Sequence, residues 1–217
     1  MKAVIEQLHS EKTALAEQEF FRWLREPSPD DVRKLAFARA MCSYVMSFRD
    51  LLLLLQDRGS DDPLQQAINA YVDEDAPHYK WYLQDLGKVS AEPFHPVELW
   101  DPKLLPSRRT IYRMIGYAMD NPPIPTKLLL VSIFEATGEV FLRHTRDLLL
   151  RIGMDEELSY FGSVHYADEV QHTVDLSILT SVELTDAQRV EALRIVTLAF
   201  TEYRALFESW RLYAQEH

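Results

Sequence analysis

The sequence predicts an all-α protein, a single domain over residues 1–217 folded as a bundle of about seven helices. Three observations predict it. No stretch alternates apolar and polar residues over a useful length. Apolar residues recur at helical spacing instead, most clearly through Val32, Leu35, Ala38, Met41, Cys42, Val45, Phe48, Leu51, Leu52 and Leu55. Glycine and proline punctuate the periodic segments: Gly59, Gly87 and Gly153 follow long helical patterns, and most of the 11 prolines gather at Pro27/Pro29, Pro93/Pro96, Pro102/Pro106 and Pro122/Pro123/Pro125.

Taken in order, the first helix is expected over about 3–26, ending before Pro27. The second covers about 30–58, with Asp30 as N-cap and Gly59 behind it. The third, about 62–87, starts from Asp62 before Pro63 and stops at Gly87. Residues 88–106 form the longest irregular piece, and Phe94, Leu99 and Trp100 are expected to pack it onto the domain. Helices follow at about 107–119, 125–152 and 156–182, with Gly153 closing the second of these. The last runs over about 186–215, with Thr185 before Asp186 at its start. Gly-rich phosphate loops, internal repeats and a flexible interdomain linker are absent from the sequence.

Composition narrows the function. Apolar residues make up 47% and charged residues 26%, enough for a sizeable core and too polar for a membrane-embedded chain. Lys and Arg number 23 against 34 Asp and Glu, a net charge of −11, which argues against nucleic acid or an anionic membrane as partner. The expected partner is a small-molecule substrate, with a homodimer left open. The single cysteine, Cys42, excludes an intrachain disulfide and a cysteine-based zinc site and fits a reducing, cytoplasmic setting. The opening MKAVIEQLHS does not read as a signal peptide. The longest purely apolar run, Leu51–Leu55, falls far short of the roughly 20 residues of a membrane span.

The chemistry-bearing residues lie in three helical segments. His165, Glu169 and His172 stand at i, i+4 and i+7 and point within about 60° of one another, with Asp168 at the edge of the stripe. Asp75 and Glu74 precede His78 by three and four residues. Glu135 sits in the apolar setting Ile133-Phe134-Glu135-Ala136, with Glu139 one turn on. A charged residue among apolar neighbours on an interior helix needs a partner. Imidazole and carboxylate suit Fe(II), and six such ligands suffice for two irons with positions left open for O2. Plainer readings stand beside this: first-turn acids favouring a helix that restarts at Pro77, and ordinary helix pairs such as Glu135 or Glu139 with Arg143. The pairs Asp75/His78 and Glu169/His172 also suggest a ferritin-like bundle, but that pattern wants a Glu on the preceding helix, and the segment 30–58 holds none.

Glu74-Asp75-Ala76-Pro77-His78-Tyr79-Lys80-Trp81-Tyr82-Leu83-Gln84-Asp85-Leu86 resembles the E-D-x-x-H-x-x-W-x-x-x-D-L segment of haem-oxygenase-like diiron oxidases, the iron-containing redox enzyme group. Tyr160-Phe161-Gly162-Ser163-Val164-His165 through His172 is similar to that family's Y-F-G-x-x-H-x-x-x-[D/E]-x-x-H segment, and Glu135 falls between the two as the family's isolated glutamate does. The likeness covers about residues 70–172. It implies a haem-oxygenase-like bundle holding two Fe(II) ions that activate O2. The substrate would be a small carboxylate, amino-acid-like or fatty-acid-like metabolite, cleaved at a C–C bond or oxygenated, mostly in natural-product pathways. The implied ligands are Asp75, His78, Glu135, His165, Glu169 and His172, with Glu74 and Asp168 as alternates. Two other readings stay open. One is a metal-free, thiaminase II-like hydrolase with Cys42 as nucleophile; the other is a non-enzymatic helical interaction protein.

Overall fold

The computed structural model describes residues 1–90, 92–171, 180 and 182–217, with side chains throughout these except at 169–171. The first expected helix divides into α1 (Lys2–Ala16) and α2 (Glu19–Arg25). Gln18 between them is extended (φ −68°, ψ 157°), and its Nε2 donates to the Arg204 carbonyl at 2.6 Å. The turn swings Phe20, Phe21 and Leu24 into the core, where all three are fully buried. Tertiary burial overrides local helix preference here.

The second expected helix becomes a 3-10 turn (Asp31–Ala36), the short α3 (Phe37–Ala40) and α4 (Cys42–Leu55). Its apolar stripe is as expected from Leu35 onward, but Val32 lies on the 3-10 turn and is 57% exposed, and Gln56 turns extended and ends α4 short of Gly59. The third divides into α5 (Pro63–Asp75) and α6 (Tyr79–Val89). Asp62 caps α5, its Oδ1 accepting the Leu64 N–H at 2.8 Å. Pro77 has no N–H to continue the ladder, so the bonds tighten to a 3-10 pattern: His78 N–H to the Asp75 carbonyl at 3.1 Å and Lys80 N–H to the Pro77 carbonyl at 3.0 Å. Gly87 lies inside α6 and is not its cap.

After α6, two 3-10 turns (Pro96–Trp100 and Pro102–Leu104) lead into α7 (Leu105–Met119). Phe94 and Leu99 pack against the core as expected. Trp100 does not; it is 65% exposed, with the Arg108 guanidinium 5.7 Å from its ring. Arg108 is committed to the carbonyls of Leu99 and Asp101, which places a cation under the indole. The long α8 (Ile124–Ile152) ends at Gly153, whose φ of 75° favours glycine. Turns at 155–162 replace the expected helical start, and α9 (Ser163–Gln171) follows. The expected continuation to 182 passes through residues outside those described. Thr185 and Gln188 form a capping box that opens α10 (Asp186–Glu216).

Among the described residues there is no strand, and no helix is long and apolar enough to cross a membrane. The architecture is all-α, as the sequence predicts. α8 and α10 carry much of the core. α1 packs on both, α4 on α7, and α9 on α8. Phe20, Phe37, Phe141, Phe207 and Trp210 interlock at its centre, with Phe20 5.5 Å from both Phe37 and Phe207. Each such buried ring contributes about 1.5–3 kcal/mol relative to leaving it in water.

A polar junction ties this core to the C-terminus of α8. Asp31 is buried; its Oδ2 accepts from Arg151 Nε at 2.6 Å and its Oδ1 lies 2.8 Å from Lys34 Nζ. Arg151 also donates to the Leu24 carbonyl, and Lys34 to those of Trp23 and Glu26. Burial pushes the Asp31 carboxyl up, but the two cations outweigh it and hold it below the usual range. A depressed folded-state value means stability that is present above the unfolded value, about 3.9, and is lost as the pH falls through the folded one. Asp31→Asn should therefore cost about 3–5 kcal/mol at neutral pH. Urea unfolding of both proteins checks this: the gap should be full at pH 7 and close in strong acid, and a gap independent of pH would contradict the ion-pair account.

Candidate metal centre

The α5–α6 break builds the first half of the site. Asp75 is the last residue of α5 and His78 immediately precedes α6, so the turn at Pro77 folds the carboxylate back on the imidazole. Asp75 Oδ1 lies 2.9 Å from His78 Nδ1, and the two side chains are only 9% and 10% exposed. His165, on the first turn of α9, brings the second half. Its ring centroid is 4.5 Å from that of His78. One potential ligand atom each from Asp75, His78 and His165 lie within 4.8 Å of one another. Trp81, in the first turn of α6, stacks on His78 at 4.6 Å, and its ring lies 5.8 Å from that of His165.

The protonation of these groups follows from their surroundings. His165 Nδ1 is 2.9 Å from the Tyr160 carbonyl oxygen. A carbonyl only accepts, so Nδ1 carries the proton and Nε2 is the electron-pair donor of the ring. Burial and the neighbouring His78 lower the His165 value to about 4, which keeps the ring neutral at pH 7, the form that ligates metals. Burial works against the Asp75 carboxylate, but His78, His165 and the Tyr71 hydroxyl together hold it below the usual range.

Glu135 projects from α8 toward the same place. It falls outside the 4.8 Å group but is linked to it, because Tyr71 hydrogen-bonds to both Asp75 and Glu135. Burial, and next the Asp75 charge, raise Glu135 to about 8. Its Oε1 is buried and has no hydrogen-bond partner among the described residues. An orphaned buried carboxylate oxygen is rare and calls for a ligand that supplies the missing contact. One carboxylate and two imidazoles in a buried group, with a second acid nearby, fit a divalent cation of the Fe(II) type.

The structure thus brings together Asp75, His78 and His165, and sets Glu135 beside them. The Glu169 side chain and His172 lie outside the described residues. Between Glu74 and Asp75 the burial is unequal: Glu74 is exposed and Asp75 faces His78. Asp168 is half-buried, near enough to act on His165, and lines a surface groove with Glu74, Lys80 and Trp81. Glu139 is engaged by Lys12 rather than by Arg143. His144 serves the core, bound to the Val140 carbonyl and to Arg25.

A cavity opens from this group, with about 740 Å³ of empty space that is partly open to solvent. Met41, Val45, Phe48, Phe134, Phe141, Leu142 and Phe207 make its apolar wall, and Asp75, His78 and His165 make its polar end. Tyr44 and Tyr203 also line it, their hydroxyls 2.7 Å apart. Arg49 is the one Lys or Arg among the described lining residues and the one that is exposed, so it stands at the mouth. Sequence reasoning missed it because it shares a helix with no ligand candidate. Other cations are placed elsewhere: Lys127 donates to Gln65, Arg113 pairs with Glu202, and Arg143 is exposed. Tyr71 precedes Asp75 by four residues on one helix face, which sets its ring beside that carboxylate.

No protein-family model matches the chain, and no curated protein compared with it matches either.

Cys42 is 6% exposed at the start of α4, and burial pushes its thiol above the usual range. That is the environment of an inert core thiol, not of an activated nucleophile. A disulfide-exchange reagent such as DTNB should label it slowly in the folded protein and at once in guanidinium; rapid labelling of the native state would restore Cys42 as a nucleophile candidate.

Proposed function

We propose that the chain is an O2-dependent non-haem diiron oxidase or oxygenase of the cytoplasm. Its substrate would be a small carboxylate, amino-acid-like or fatty-acid-like metabolite of a natural-product pathway, cleaved at a C–C bond or oxygenated. The observation that carries this reading is the buried group of Asp75, His78 and His165 at the polar end of an aromatic-walled cavity, with Glu135 close by and one of its oxygens without a partner among the described residues. The resemblance of residues 70–172 to haem-oxygenase-like diiron oxidases supplies Glu169 and His172 as the remaining ligands.

Bound Fe(II) would supply the one-electron chemistry with O2 that side chains lack. The chain's own residues do the rest. His165 presents Nε2 because the Tyr160 carbonyl holds the proton on Nδ1. Tyr71 stands within reach of both Asp75 and Glu135 and can give its one hydroxyl hydrogen to either acid. Phe48, Phe134 and Phe141 exclude water and leave an apolar chamber for the substrate's hydrocarbon part. Arg49 at the mouth offers a cation to an acidic end group.

A second reading has its own support. Asp75, His78 and His165 alone compose two imidazoles and one carboxylate, the set that holds a single Fe(II) in many oxygenases.

Anaerobic Fe(II) titration followed by O2 decides between them. Two irons per chain and a transient visible absorption on adding O2 are expected, with fatty acids and amino acids screened for turnover. His165→Ala and Glu135→Ala should abolish iron loading and turnover while the circular dichroism spectrum persists, and Cys42→Ser should leave both unchanged. One iron per chain would favour the mononuclear reading, and turnover retained in His165→Ala would reject both.

A further inference from the structure

α6 carries a second buried acid that the centre described above does not use. Asp85 follows His78 by two helical turns, on the same face. Its side chain is fully buried. Its Oδ1 accepts the Ser159 N–H at 3.1 Å, and its Oδ2 accepts those of Tyr160 at 2.7 Å and Phe161 at 3.3 Å. Three consecutive backbone donors thus converge on one carboxylate, as they do in an anion-binding nest.

The peptide groups gripped in this way are the ones that hold His165. The Ser159 carbonyl accepts the His165 backbone N–H at 3.2 Å, and the Tyr160 carbonyl accepts its Nδ1–H at 2.9 Å. Asp85 therefore holds the donor side of the turn, and His165 reads its acceptor side. The turn has little freedom of its own. A Cβ on Gly162 would collide with the Leu158 carbonyl oxygen and stand 2.8 Å from that of Asp155. Asp155 Oδ1 also accepts the Ser163 N–H at 2.9 Å, where α9 begins.

We infer that Asp85 is a positioning residue: through the 159–161 backbone it fixes the tautomer and aim of His165, so that α6 sets one imidazole directly and the other by relay. Its consequence for metal binding rests on the reading in Proposed function; its consequence for the tautomer does not.

Asp85→Asn tests both. The substitution keeps the volume but turns an NH2 toward backbone donors. In apo protein labelled with ¹⁵N-histidine, NMR should find the His165 proton on Nδ1 in the wild type and a gain of the Nε2–H tautomer in the variant. Anaerobic Fe(II) affinity should fall about 10- to 100-fold, the usual effect of losing a group that orients a ligand. Glu202→Gln, which breaks a buried ion pair between α7 and α10, should change neither measurement. Gly162→Ala displaces the same turn without touching Asp85, should give the same two changes, and replaces Asp85→Asn if that variant does not fold. An unchanged tautomer together with unchanged Fe(II) affinity overturns the inference. His165→Ala keeps the two claims apart: if it binds Fe(II) as the wild type does, the metal reading fails, and the tautomer alone then decides the role of Asp85.

Discussion

Desolvation of charge is the constraint on which the molecule turns. Two imidazoles and two carboxylates sit out of water against an aromatic wall, where an unpaired polar atom is expensive. Most of that demand is met internally. Asp75 is met by His78 and Tyr71, and His165 by the Tyr160 carbonyl. Among the described residues the Glu135 oxygen is left unmet. Burial shifts the acid and the base of this group in opposite senses, Glu135 upward and His165 downward. The Asp31–Lys34–Arg151 junction, by contrast, closes on itself.

Rigidity around this group comes from two kinds of element. Glu135 is carried at mid-length by α8, a helix whose inner face is packed along its whole length. Asp75, His78 and His165 stand instead at helix ends, where the backbone changes direction and side chains from different segments meet. Such ends are normally the loosest parts of a helical protein. Here they are tied by specific means: Pro77 forces the break, Asp85 clamps the turn before α9, and Gly162 permits the close approach of that turn to itself. The cavity then inherits a fixed polar end and an apolar body, with a cation at its mouth.

How much of this was legible can be judged residue by residue. The apolar stripe from Leu35 to Leu55 is readable, because burying one face imposes helical spacing on the residues that face it. The breaks between helices are not, and the path at Gln18 shows why: it answers to the Arg204 carbonyl, 186 residues away in sequence. Spacing put both Glu74 and Asp75 near His78 and could not choose between them. The turn at Pro77 makes the choice by burying one and exposing the other. Asp85 stood within the motif that carries the resemblance, yet its partners lie 74 to 76 residues away in sequence, and no local pattern announces them.

The sequence by itself determined the all-α class, the ligand-type residues and their grouping into segments, because helical periodicity and residue chemistry are local properties. Only the tertiary structure decided that Asp75, His78 and His165 converge, that Glu135 lies near them, and that Arg49 is the cation at the cavity mouth. Convergence of that kind depends on where helices stop and how their ends pack, and those are set by burial summed over the whole chain.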